Sequence, residues 1–366
     1  MTKEDASVNW QNWLKNNRTL AGLLGGLVAL FLVIWAVEAA FKRPSAPVPA
    51  AMPKGGAAFQ VVGFYENKVA GDGIPSSRVS FDAHYRQLTS VSPLWFSVNT
   101  DGTVSDTGYD NSLVTDAHSH HISVVPLFTN AQGSTNVLWS AVTRLKAAKS
   151  IAAVVKQDHL DGANIDFELL NPASRTDLSD FVYDLSQQLH PMHKVVAVSV
   201  FPLVGLPASI NGAYDYHALA QNADYLVLMA YDHHYSGGPP GPVASYGWVQ
   251  QNVTAALKQA PAKRLVLSIG MYGYDWVNNG AAGAAATVPD VTAKQMASRY
   301  GARIRYIASE SQNEFTYSQS GVAHVVWFMG DRSAKARVAL ARQYHLAGVS
   351  LWRLGMEDPQ FWSNVP

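Results

Sequence analysis

The stretch DGANIDFELL, Asp161 to Leu170, sets an amide and two carboxyls at alternate positions of a run otherwise composed for burial. Side chains of an extended strand alternate faces, so Asn164, Asp166 and Glu168 share one face while Ala163, Ile165 and Phe167 share the other. Two successive carboxylates repel, and burying either without a partner is costly, so the pair calls for a use. A negative Asp166 beneath Glu168 disfavours ionisation of Glu168. A glutamic acid still protonated near neutral pH is a general acid suited to a glycosidic leaving oxygen. The competing account is a buried polar network that plugs the interior. Asp161 has the opposite parity and precedes the strand, which suits a cap or turn residue.

Holding that face in place takes a frame. Eight apolar runs read as strands: Gln60–Tyr65, Pro93–Val98, Ile122–Asn130, Gly162–Glu168, Lys194–Pro202, Tyr225–Asp232, Arg264–Gly273 and Gly348–Gly355. Helical patterns lie between them, among them Asn136–Gln157, Ser174–Leu189, Trp248–Gln259 and Ser333–Tyr344. Val/Ile/Leu-rich strands alternating with helices imply a parallel sheet covered on both faces. Eight such units over about 300 residues predict an α/β fold, a (β/α)8 TIM barrel, with a doubly wound open sheet as the alternative. A small α+β insertion after strand seven is expected over about 276–329, holding a helix at Val291–Tyr300 and the strand-like runs RIRYIAS and HVVWFM. Glu168, last on strand four, then falls at the C-terminal rim, where barrel sites lie.

The 366 residues are 48% hydrophobic and 15% charged, enough for a large core. Lys+Arg and Asp+Glu both number 27, so no basic field points to nucleic acid. Cysteine is absent, which excludes disulfides, thiolate metal sites and a cysteine nucleophile. Thr19 to Val37 carries no charge and is long enough to span a hydrocarbon core of roughly 30 Å. The expected order is a polar segment 1–18, a transmembrane signal anchor 19–41, a Pro/Ala/Gly-rich linker 42–58 and a domain 59–366. A signal cut after Ala39, releasing a secreted domain, is the alternative.

DGANIDFE resembles the strand-four signature D-x-x-D-x-D-x-E of family 18 glycoside hydrolases, with Asn164 in place of the middle Asp. That form is similar to the spore cortex-lytic N-acetylglucosaminidase branch. MAYDHHYSGGPPGPVAS (Met229–Ser245) resembles the branch's strand-six motif and loop, YGYDW (Tyr272–Trp276) its segment after strand seven, and SLWRLG its strand eight. The resemblance covers Gln60 to about Phe361 and implies a retaining mechanism in which the substrate's own 2-acetamido oxygen attacks the anomeric carbon. It assigns the leaving-group proton to Glu168, the acetamido N–H and the oxazolinium charge to Asp166, and a hydroxyl on the acetamido oxygen to Tyr231. Met229 shares Tyr231's parity, Asp232 would contact the sugar or bear on Glu168, and Trp352 would form the cleft floor. Asn164 would hydrogen-bond Asp166 and alter the pH profile. The implied partner is an N-acetylglucosamine-containing polysaccharide, peptidoglycan or chitin, met outside the cytoplasm by a membrane-anchored domain. The alternative from another class is a lectin-like barrel. No metal or organic cofactor is implied.

Among the aromatics near strand C-termini, Trp276 is expected to stack on sugar, with Tyr65 a further candidate and His233, next to Asp232, a substrate contact. The cluster His118–His121 precedes strand three at the opposite end of the barrel and reads as a solvated loop rather than a metal site. Asn130, ending strand three, lies within reach of the cleft.

Overall fold

The structure, a computed structural model, describes residues 58–67, 76–277 and 284–363. The expected polar segment, the anchor 19–41 and nearly all of the linker 42–58 fall outside them. No helix among the described residues is long and apolar enough to cross a membrane.

The barrel strands are β1 (Gln60–Tyr65), β2 (Ser90–Val98), β3 (Leu127–Asn130), β4 (Gly162–Asp166), β5 (Val195–Val200), β6 (Tyr225–Met229) and β7 (Leu265–Gly270). The eighth, Gly348–Trp352, follows five strands of the insertion and is β13. Each pairs in parallel with its neighbour, and β13 joins β7 to β1, so the sheet closes. Closure leaves no open edge and separates two apolar sets. Phe64, Leu127, Ala197, Val227 and Val266 meet inside the barrel. Val61, Phe128, Ala163, Ile165 and Val198 face outward into the layer packed under the helices.

That layer is built from amphipathic helices with definite starts. The helix α1 (Ser77–His84) is capped by Ser76, α2 (Asn111–Ser119) by Asp110 and α3 (Ala141–Gln157) by Ser140, each side chain accepting a first-turn N–H. On α3 the buried positions Ala147, Ala148, Ile151, Ala152 and Val155 recur at helical spacing. On α4 (Arg175–Leu189), Leu178, Phe181, Val182, Leu185 and Leu189 do the same, and Phe181 stacks on Phe167 at 5.3 Å between centroids. Burying each such side chain contributes roughly 1.5–3 kcal/mol. Then come α5 (Tyr216–Asn222) and α6 (Tyr246–Leu257).

Two expected strands are broken. The run Ile122–Asn130 is interrupted by Pro126, which has no N–H to give to a ladder; a two-residue strand, Ser123–Val124, precedes it and β3 follows. The run Arg264–Gly273 ends as a barrel strand at Gly270, and the insertion sheet starts two residues on. The insertion therefore begins at Tyr272, earlier than expected. Its strands are β8 (Tyr272–Val277), β9 (Ala286–Pro289), β10 (Arg305–Ile307), β11 (Gln312–Gln319) and β12 (Val322–Phe328), in spatial order β9-β8-β12-β11-β10. The polar sequence of β11, QNEFTYSQ, hid it from hydropathy. Its Phe315 and Tyr317 pack with Ala293 and Ala297 of α7 (Asp290–Arg299). The last helix, α8 (Gly330–Gln343), leads back to β13.

Candidate active site

Asn164 and Asp166 point into the barrel, and Ala163, Ile165 and Phe167 lie in the outer apolar layer, as alternation requires. Ladder pairing of β4 with β3 ends at Asp166, opposite Thr129. Glu168 stands two residues further on, half-buried at the C-terminal mouth, and Leu169 turns the chain away with φ +54°. The Glu168 N–H donates to Asn130 Oδ1 at 2.9 Å, and Asn130 Nδ2 donates back to the Glu168 carbonyl at 2.9 Å. The Tyr214 hydroxyl donates to the Phe167 carbonyl at 2.7 Å.

Burial pushes the Asp166 carboxyl above the usual carboxylate range, while the Ser199 hydroxyl favours its ionised form. Asn164 was expected to bond Asp166. Its Oδ1 instead accepts from Ser199 Oγ at 3.3 Å, so Asn164 and Asp166 compete for the single hydrogen of one hydroxyl on the next strand. Glu168 is pushed up to about 7, first by burial, then by Asp166 and by Asp232. Asp232 is raised by burial and held back by two phenols, accepting from the Tyr272 hydroxyl at 2.5 Å and the Tyr274 hydroxyl at 3.0 Å. It sits at φ +59°, in the tight turn that ends the strand-six segment.

The Tyr231 phenol lies in the field of the three carboxyls, and its ring packs edge-on to Tyr272 at 6.2 Å between centroids. Burial is the largest cause of its raised pKa, and Asp166, Glu168 and Asp232 follow in that order. Gly270 makes room for both rings. A Cβ there would lie 2.7 Å from Tyr272 Cε1 and 3.3 Å from Tyr231 Cβ. Met229 is buried at the end of β6, in register with Ser268. Trp352 ends β13 half-buried, edge-on to Phe64 at 5.2 Å, and its peptide bond to Arg353 is cis.

Two expected sugar contacts stand elsewhere, and a third has one face covered. Trp276 is 1% exposed, donates its indole N–H to the Gly238 carbonyl at 3.2 Å and packs edge-on to Tyr274, so neither ring face is free to stack on a sugar. Its place near a strand end was right; the antiparallel sheet it belongs to turns it inward. Tyr65 has outward parity on β1 and lies in the layer under the helices, near Asp110, Arg78 and Asp82. His233 is half-buried, one face of its ring lies on Trp248 at 4.6 Å, and burial lowers its pKa so the neutral form dominates. At the far end, Asp161 accepts the Val124 N–H and pairs with His118, each at 2.8 Å, which accounts for both residues structurally.

Sequence reasoning missed Ser199, Tyr214 and the grip of Tyr272 and Tyr274 on Asp232. The alternate tyrosines of YGYDW signalled one face of a strand. Ser199, at inward parity in VSVFP, was legible only once β5 was known to adjoin β4. Nothing local marks Tyr214, which arrives from the loop before α5.

Among the described residues, every charged group that acts on Glu168 or Tyr231 is a carboxyl, and no cation offsets them. Such a mouth keeps one acid protonated and favours positive charge on whatever lies over it, which is what cleavage of an acetal between sugars demands of a barrel glycosidase. The chain belongs to the glycosyl hydrolases family 18, whose sequence profile matches residues 60–357. The uncharacterized glycosylase YvbX of Bacillus subtilis is 28% identical over 242 residues, 63% of this chain and 68% of its own length. A cortical fragment-lytic enzyme of Bacillus subtilis is 32% identical over 206 residues, 54% of this chain and 47% of its own length. A crystal structure of a chitinase from Chromobacterium violaceum superposes with a TM-score of 0.78 at 27% identity, over 84% of this chain and 98% of that one. The chain spans about two thirds of the length of the first curated relatives it matches.

Proposed function

We propose that this glycoside hydrolase cleaves β-linked N-acetylglucosamine polymers, peptidoglycan or its fragments, by substrate-assisted retaining catalysis. The observation that carries the reading is the pair of acids on one face, Glu168 raised to about 7 above a buried Asp166, with the Tyr231 phenol in the field of both. Glu168 gives its proton to the leaving oxygen and then takes one from the incoming water. The substrate's acetamido oxygen closes on the anomeric carbon while Asp166 accepts from the acetamido N–H and stabilises the cationic ring. Tyr231 donates to the acetamido oxygen and holds it for attack. Met229 and Trp352 supply the apolar floor, and Asp232, held by its two tyrosines, adds negative potential beside Glu168.

Kinship with cortical fragment-lytic enzymes favours peptidoglycan fragments; the chitinase likeness over most of the chain supports chitooligosaccharides as the second reading. The uncharged run Thr19–Val37 supports a single-pass anchor, and a peptidoglycan or chitin substrate, which lies outside the cytoplasm, supports an outward-facing barrel. Mass spectrometry of products from muropeptides and from chitooligosaccharides, incubated with the full chain or with Glu168→Gln, tests the activity. Cleavage beside N-acetylglucosamine by the wild type alone supports it. Binding without turnover on every acetamido sugar would replace it with a lectin.

A further inference from the structure

Beyond Asp166 the chain leaves the ladder. The next residues of β3's strand line turn off at Ala131–Gly133, a 3-10 turn, so β3 offers Glu168 no ladder partner. A main-chain segment without a ladder partner, sitting at a mouth, is free to move unless other groups take its N–H and C=O. The Asn130 carboxamide takes both. Its oxygen accepts the Glu168 N–H and its nitrogen donates to the Glu168 carbonyl, both at 2.9 Å; the second amide hydrogen goes to the Ser134 carbonyl at 3.3 Å. Two carbonyls facing the nitrogen and one N–H facing the oxygen allow only one orientation of the amide. Asn130 is 7% exposed, which limits the competition of water for these bonds. From the β5 side, Tyr214 holds the preceding carbonyl.

We infer that Asn130 is the positioning residue of the general acid: its carboxamide replaces the missing ladder rung and fixes the height and direction of the Glu168 carboxyl over Asp166. It touches no substrate and acts through Glu168 alone. Without it, Glu168 swings toward solvent, away from the burial that keeps it protonated. The groups that face the Glu168 carboxyl, Asp166 on its own strand segment, Asp232 and Tyr231 after β6 and Tyr214 before α5, stay in place.

The inference rests on the proposed role of Glu168, so its test carries one readout that needs no substrate. The full chain, labelled with 13C at glutamate side-chain carboxyls, is titrated by NMR as wild type, Asn130→Ala and Asn130→Asp, with Glu168→Gln assigning the signal. The same proteins are assayed on a chitooligosaccharide from pH 5 to 8. Asn130→Ala is expected to keep its far-ultraviolet circular dichroism, lose about 10²-fold in kcat with KM within about twofold, and titrate Glu168 about one pH unit lower. Asn130→Asp keeps the acceptor for the Glu168 N–H but presents an oxygen to two carbonyls unless it is protonated. It is therefore expected to recover part of the lost kcat at pH 5 and none at pH 8. A wild-type titration midpoint in Asn130→Ala, or equal losses in Asn130→Asp at pH 5 and 8, overturns the inference. If Asn130→Ala fails to fold, the Asn130→Asp profile and midpoint decide. If the wild type turns over no acetamido sugar, the functional reading falls, and the midpoint still decides whether Asn130 governs Glu168.

Discussion

A buried acid kept ready for catalysis weakens the fold that holds it, and Glu168→Gln measures by how much. The Glu168 carboxyl is raised from 4.5 to about 7, chiefly by burial. Below pH 4.5 it is protonated in both folded and unfolded chains and contributes nothing. Between 4.5 and 7 the unfolded chain releases the proton while the folded chain keeps it, so stability falls as pH rises; above 7 the whole penalty is present. At about 1.4 kcal/mol per pH unit this is on the order of 3 kcal/mol. Glu168 and Asp166 titrate as a pair, and Glu168 keeps part of its surface in solvent, which reduces the net gain of Glu168→Gln to roughly 1–3 kcal/mol. The carboxamide is neutral at every pH and leaves the main-chain bonds to Asn130 intact. In a domain of this size, 1 kcal/mol moves the melting temperature by about 2–3 °C. Thermal melts of wild type and Glu168→Gln from pH 4.5 to 8.5 should coincide at the acid end and diverge to about 2–9 °C in favour of the variant above pH 7. A gap that does not change with pH, or a variant less stable than wild type at pH 8, would refute the placement of a buried, repelled carboxyl at the mouth. The polar-plug account predicts that loss of stability.

Ser199→Ala removes the hydroxyl that favours the ionised Asp166, so the acid limb of the kcat/KM profile should move to higher pH; a limb at the wild-type position would show that Ser199 does not act on Asp166. Asn164→Asp sets a third acid beneath the pair, and its melting temperature should match wild type near pH 4.5 and fall below it progressively up to pH 8, read by the same melts. Tyr231→Phe should lower kcat by about 10²-fold on a chitooligosaccharide while its melting temperature at pH 7 stays within about 3 °C of wild type. A fully deacetylated glucosamine polymer should survive conditions that consume its acetylated counterpart; comparable product release from both, followed by reducing-end assay, would exclude attack by the substrate's amide.

The ends of β1 were read correctly to the residue because a continuous apolar run met turn-forming sequence on either side. The run that became β3 was read through Pro126, since hydropathy does not register a missing N–H. The insertion helix α7 was visible in its helical spacing, whereas β11 was not, because a strand with one face in solvent need carry few apolar residues. Near the mouth, position along a strand predicted height but not direction. Tyr65 and Trp276 both lie close to strand ends, yet parity sends one under the helices and an antiparallel pairing turns the other inward.

Sequence alone determined which face of DGANIDFE is polar, that Glu168 stands highest on it, and that the strand bearing it belongs to an alternating α/β chain. These follow from a period of two and a period of 3.6, both properties of the local backbone. Only the closed barrel decided what surrounds those acids. Asn130 meets Glu168 across 38 residues, Tyr214 meets Phe167 across 47, and Tyr272 meets Asp232 across 40. Such contacts have no local signature, because they exist only once eight strands have taken their register and excluded the water that would otherwise satisfy, and neutralise the influence of, every one of these groups.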